Sequence, residues 1–97
     1  MNTSPDVQTG LALHHSPIDR GFTAKFKNGW EVSVQWGTGN YGSNRGRSVT
    51  ALPNEATTVE VAIFKPDGEV LGNPQGWQTP EQVAETLFRV SQYPATQ

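Results

Sequence analysis

Residues 22–36, "FTAKFKNGWEVSVQW", decide the fold. Apolar residues recur at every second position on both sides of Asn28-Gly29: Phe22, Ala24 and Phe26 before it, Trp30, Val32, Val34 and Trp36 after it. Period two is the spacing of a half-buried strand. Asn-Gly between two such runs is the strongest short hairpin signal. The register follows from keeping the apolar set together. A two-residue loop sets Lys27 opposite Trp30 and sends the phenylalanines and tryptophans to opposite faces. A three-residue loop, Lys27-Asn28-Gly29, pairs Phe26 with Trp30, Ala24 with Val32 and Phe22 with Val34. Every apolar residue then shares one face, and Gly29 is the left-handed residue of the bulge. The sequence predicts the three-residue loop.

Working outward, "TTVEVAIF" at 57–64 reads as a third strand. Val59, Val61 and Ile63 lie on one face, Ala62 and Phe64 on the other, the pattern of a central strand covered twice. "KPDGE" then repeats the first turn's geometry, with Pro66 at the first central position and Gly68 left-handed. It pairs Phe64 with Val70 and Ile63 with Leu71, making residues 69–72 a short fourth strand. Residues 37–48 and 73–78 read as loops, and 49–56 as an extended connector. Thr79-Pro80-Glu81-Gln82 is a helix start: Thr79 caps, Pro80 takes the first helical position and Gln82 completes a capping box. Val83, Ala84, Leu87, Phe88 and Val90 are read as one apolar stripe. Glu85 and Arg89 are spaced as an exposed pair, and the helix stops before Pro94. The expectation is an α+β fold: a small antiparallel sheet of about four strands in two hairpins, with one C-terminal amphipathic helix packed on it.

At 97 residues the chain is one domain at most. We place that domain at 21–93, between a poorly ordered tail at 1–20 and a short tail at 94–97. The chain has no cysteine, which excludes a disulfide framework, a zinc–cysteine site and a thiol nucleophile. No run approaches the roughly 18 apolar residues of a membrane span, and the N-terminus has no basic segment leading into an apolar one. The expectation is a cytoplasmic protein with no membrane partner. The net charge is −2, unevenly spread. Over 20–48, Arg20, Lys25, Lys27, Arg45 and Arg47 stand against Glu31 alone; the chain beyond is acidic. The total charge argues against duplex nucleic acid, whose binding rests on phosphate neutralisation. His14, His15 and Asp19 lack a second cluster of ligands and read as solvated tail residues rather than a metal site. No cofactor is expected.

The basic part of the chain holds "WGTGNYGSNRGRS" at 36–48. Gly37-Thr38-Gly39-Asn40-Tyr41-Gly42 spells G-x-G-x-x-G. A dinucleotide fingerprint needs a helix and a parallel crossover after those glycines, and Ser43-Asn44-Arg45-Gly46-Arg47 opens no helix. A kinase phosphate loop needs catalytic and metal-binding motifs that a chain of this length cannot hold. What survives is a glycine-permitted loop whose amides, from Gly37 to Gly42, can turn toward an anion. Arg45 and Arg47 add fork-shaped charged donors, Asn44 a neutral one, and Tyr41 a ring for stacking. The bland alternative is a solvated connection whose arginines serve solubility. Trp30 and Trp36 read as core; Trp77, in a polar loop before the helix, is the tryptophan expected to be partly exposed and to join the site. Glu31, Glu55 and Glu60 are not singled out by any neighbour, and both histidines lie in the tail, so no catalytic set is expected and the protein is read as non-enzymatic.

The arrangement "FTAKFKNGWEVSVQWGTGNYGSN", "VEVAIFKPDGEVLG" and "GWQTPEQVAETL" resembles small uncharacterised proteins of tailed bacteriophages and prophages, over about residues 20–92. The likeness rests on the F-x-N-G-x-x-V-S-V-Q hairpin running into G-x-G-N-Y and on the late T-P-E-x-V-A helix. A cysteine often follows the Asn-Tyr pair in that group; Gly42 stands there in this chain. The resemblance implies a phage accessory protein made in the bacterial cytoplasm. Three roles fit: an anti-defence module capturing an anionic nucleotide-like ligand, an inhibitor binding a host enzyme or defence complex, or a structural or regulatory phage component. Homo-oligomers are common for such domains.

Overall fold

The computed structural model describes residues 9–47 and 52–95. Residues 1–8 and 96–97 of the expected tails, residue 48 of the glycine-rich loop and residues 49–51 of the connector lie outside the described residues. The fold is α+β. Five antiparallel strands form one open sheet in chain order: β1 (Gly10–His15), β2 (Asp19–Lys25), β3 (Glu31–Gly37), β4 (Val59–Phe64) and β5 (Gln75–Gln78). A single helix, α1 (Pro80–Ser91), packs on one face.

The first hairpin has the predicted register. Phe22 pairs with Val34 and Ala24 with Val32, and the Phe26 amide donates to the Trp30 carbonyl at 3.0 Å. Gly29 has φ 91° and Gly68, in the second turn, φ 93°; both positions need the left-handed backbone that glycine adopts without a Cβ clash. The second turn also pairs as expected, through a Phe64–Val70 bridge and a Leu71 amide on the Ile63 carbonyl.

Two strands differ from expectation. Residues 69–72 make only that one bridge, because Gly72 turns left-handed (φ 65°) and Pro74 follows. The chain leaves β4 and returns as β5, pairing Val61 with Gln75 and Val59 with Gln78 across a register shift. Residues 73–78, read as loop, thus hold the strand that completes β4's second side. At the other edge β1 lies inside the stretch read as a loose tail, and its six residues pair with Arg20–Lys25. His14 is part of that strand, with Nε2 2.6 Å from Thr23 Oγ1, rather than a solvated tail residue.

The core lies between α1 and the centre of the sheet: Trp30, Val32, Val34, Val59, Val61 and Val90, flanked by Phe22, Trp36, Ile63, Val83 and Leu87. The helix starts as read, with both capping-box bonds present and Pro80 in the first turn. Its buried stripe is narrower than expected. Val83, Leu87 and Val90 face the sheet, whereas Phe88 is 70% exposed and Ala84 is also exposed. Two steps of 100° from Val90 carry position 88 to the outer side. Arg89 donates to the Tyr93 hydroxyl rather than pairing with Glu85.

The C-terminal end of α1 is tied to the first hairpin. Asn28 Nδ2 donates to the Val90 and Tyr93 carbonyls, each at 2.9 Å, while its Oδ1 accepts from the Trp30 amide at 3.0 Å. Trp30 Nε1 donates to the Pro94 carbonyl, and its ring meets Tyr93 edge-on with centroids 4.8 Å apart. The opposite sheet face carries Ala62 and Phe64, both half-buried. It is closed by its own polar side chains, His14 on Thr23 and Gln35 Nε2 donating to Ser33 Oγ, rather than by a second layer among the described residues.

Candidate functional site

The glycine-rich segment is a pinned loop. Its entry is fixed by the Thr38 amide on the Ile18 carbonyl. Ser43 holds its middle to the connector, donating to the Thr58 carbonyl and accepting from the Thr57 amide. Asn40 Nδ2 reaches Glu60 Oε1 on β4 at 2.8 Å, and Asn44, 3% exposed, donates to the Glu55 carbonyl. The exit closes on the entry: the Gly46 amide bonds the Thr38 carbonyl, and Thr38 Oγ1 the Arg47 carbonyl.

Those bonds change the role of the backbone. The amides of Thr38, Asn40, Arg45, Gly46 and Arg47 already donate to carbonyls of the chain. Gly37 and Gly42 are buried. The glycines here let the loop pack closely: a Cβ on Gly42 would stand 2.6 Å from the Thr58 carbonyl oxygen, inside any normal contact distance. Of the amides expected to form a cradle over Gly37–Gly42, those of Thr38 and Asn40 are engaged, on the Ile18 and Gly37 carbonyls.

The side chains divide into two groups. Arg47 and Asn44 line a cavity of about 330 Å³ with Ser43, Pro53, Glu55, Ala56 and Thr57, so the lining carries one acidic and one basic side chain. Tyr41 and Arg45 form the other group. The Arg45 guanidinium carbon lies 4.0 Å from the centre of the Tyr41 ring, a cation–π contact, and its Nη1 approaches the Gly39 carbonyl at 3.5 Å. Tyr41 is 49% exposed and Arg45 is exposed.

Trp77 joins this second group from far along the chain. Its amide donates to the Tyr41 carbonyl at 2.8 Å. Gly76 before it lies so close to Tyr41 that a Cβ there would stand 2.6 Å from the tyrosine Cβ. Trp77 has φ 56°, the one non-glycine residue with a positive φ among those described. A bulky residue in that region is an outlier that costs about 1–3 kcal/mol and concentrates at functional sites. Here it leaves Trp77 55% exposed, on a backbone bonded to Tyr41 in the loop. The sequence marks Trp77 as exposed; it gives no sign that Gly76 and Trp77 dock on Tyr41, because that contact depends on β5.

Among the described residues no three His, Asp or Glu side chains gather in a way that could hold a metal ion. No described helix is long and apolar enough to cross a membrane. No family model, curated protein or solved structure matches the chain.

Proposed function

We propose that the protein is a non-enzymatic binding module that captures an anionic, ring-bearing small molecule of the nucleotide kind. In the phage setting that the sequence resembles, it acts as an anti-defence accessory protein in the bacterial cytoplasm. The observation that carries this reading is the strained, exposed Trp77 held against Tyr41, with Arg45 stacked on the same tyrosine. Two aromatic groups offer faces for a planar ring, at about 1–3 kcal/mol per stacked base. Arg45 supplies a charge-assisted fork for phosphate. Asn40, Ser43 and Asn44 hold the loop in shape, which reduces the ordering cost on binding. The Thr38 and Asn40 amides, already engaged with carbonyls of the chain, play no part in this version of the site.

A second reading uses the same indole to anchor a host enzyme or defence complex, because exposed tryptophan is a common interface anchor. Thermal unfolding against a nucleotide panel separates the two. A ligand at a hundred times its Kd adds about 2.7 kcal/mol, which raises the Tm of so small a domain by roughly 10 °C or more. Arg45→Ala and Trp77→Asn should abolish the rise without lowering the unliganded Tm; Trp77→Asn should if anything raise it, since Asn tolerates a left-handed backbone. A panel with no effect, beside a host protein that co-purifies and is lost with Trp77→Asn, would favour the inhibitor and sink the capture reading.

A further inference from the structure

The binding site uses the β5 end of the sheet and leaves the β1 edge unexplained. Edge strands are normally guarded by lysine, proline, a bulge or short length against pairing with another chain. β5 has such guards: it is four residues long, follows Pro74, contains a register shift and gives its Trp77 amide to Tyr41. β1 has none of them. Gly10–His15 reads GLALHH, without Asp, Glu, Lys, Arg or Pro, and its register with β2 is unbroken over all six residues.

The backbone alternation decides what this edge offers. The Ser16 amide bonds the Asp19 carbonyl on the β2 side. In an antiparallel ladder, Ala12 and His14 then also point their amides and carbonyls to β2, and Leu11, Leu13 and His15 point theirs outward. The Leu11 and Leu13 side chains share the helix-bearing face, because they pair with Ala24 and Phe22. They are 77% and 80% exposed. The same two residues thus present hydrogen-bonding groups at the edge with no partner among the described residues, and exposed leucines beside the core.

We propose that a second copy of this chain pairs here, β1 against β1, antiparallel about a twofold axis normal to the sheet. That axis keeps both helices on one side and brings both pairs of leucines together, a self-complementary contact. Of the registers that match the outward groups, two set both leucines against residues of the second copy's β1. Centring on Leu13 sets Leu11 against His15 of the second copy. Centring on Ala12 sets Leu11 against Leu13 of the second copy, twice over, and makes a block of four leucines. The second buries more apolar surface and is the register assigned. The strand carries no fixed charge to oppose it. Each copy contributes roughly 400 Å² from the leucines and the strand edge, so the total falls below the ~1,200–2,000 Å² of a standard interface. The association is therefore weak and depends on concentration.

Sedimentation of the full chain should show the mass climbing from one chain toward two between about 10 µM and 1 mM, the range such a small interface implies. Leu13→Lys should hold it at one chain without lowering the Tm, since Leu13 is exposed in the single chain. The chain lacks cysteine, so a single cysteine reports the register. At the assigned axis Ala12 faces its own copy in a non-hydrogen-bonded pair, with Cα atoms about 4.5 Å apart and within disulfide range. Ala12→Cys should cross-link under mild oxidation, and Leu13→Cys should cross-link far less. A mass that stays at one chain through 1 mM, a dimer that survives Leu13→Lys, or cross-linking through Leu13→Cys instead of Ala12→Cys would each overturn the proposal.

Discussion

Replacing Asn28 with alanine tests how the two layers are joined. Asn28 sits in the three-residue turn between β2 and β3, yet its side chain makes three hydrogen bonds, two of them to carbonyls in and just past the last turn of α1. The Val90 carbonyl lies in the last turn of α1, beyond the regular helix ladder, and also accepts from the Tyr93 amide, while the Tyr93 carbonyl lies just past the C-cap Gln92. Val90, one of the two acceptors, is fully buried. Each bond contributes about 0.5–1.5 kcal/mol net. Water can reach part of the half-buried site, so we expect a loss of about 2–3 kcal/mol rather than the upper sum. For a domain of this size that lowers Tm by roughly 10–20 °C. Urea unfolding should show the midpoint fall with an unchanged slope, the mark of lost stability rather than altered compactness. Asn28→Asp separates the turn from the tie. Aspartate is a good turn residue and keeps an acceptor for the Trp30 amide. At neutral pH, however, it points a carboxylate at two carbonyls and at the negative end of the helix. If the tie matters, Asn28→Asp is at least as unstable as Asn28→Ala. Near-native stability in the aspartate variant, or a loss below about 1 kcal/mol in the alanine variant, would refute the reasoning.

Two further substitutions test other joints. Thr79→Ala removes the cap that accepts from the Gln82 amide and should cost about 1 kcal/mol by thermal or urea unfolding; no measurable loss would mean that the capping box is idle. Gly42→Ala places a methyl against the Thr58 carbonyl, which is backbone and cannot swing away. It should cost about 1–3 kcal/mol and weaken ligand-induced stabilisation by moving Tyr41; a neutral result would show that the loop is not pinned there.

The hairpin register was legible because one loop length alone gathers Phe22, Ala24, Phe26, Trp30, Val32 and Val34 on a single face. The helix start was legible because capping is local chemistry between Thr79 and Gln82. β1 carried a readable alternation of Leu11 and Leu13 with Ala12 and His14, but neither leucine is buried, so hydrophobicity did not mark it as core. β5 has almost no strand signal in Gln75-Gly76-Trp77-Gln78; it exists because β4 needs a second partner and Tyr41 fixes Trp77. For the same reason the joining of Tyr41 to Trp77 could not be read along the chain. Asn28 was legible as a turn residue only, since its helix partners lie 62 and 65 positions away.

The order of the strands has a consequence for how the chain reaches this fold. Each strand pairs with its neighbour in sequence, so the sheet can grow one strand at a time, through short turns between β1, β2 and β3 and longer connections on either side of β4, whose closure entropy rises only slowly with length. The tie from Asn28 and Trp30 to Val90, Tyr93 and Pro94 is different in kind. It closes the long stretch from the first hairpin turn to the end of α1 at once, and it needs α1 settled on the sheet. Folding should then depend on the β2–β3 hairpin for its rate and on the helix clasp for its lifetime. Damage to the hairpin slows arrival at the native state, whereas damage to the clasp hastens departure from it.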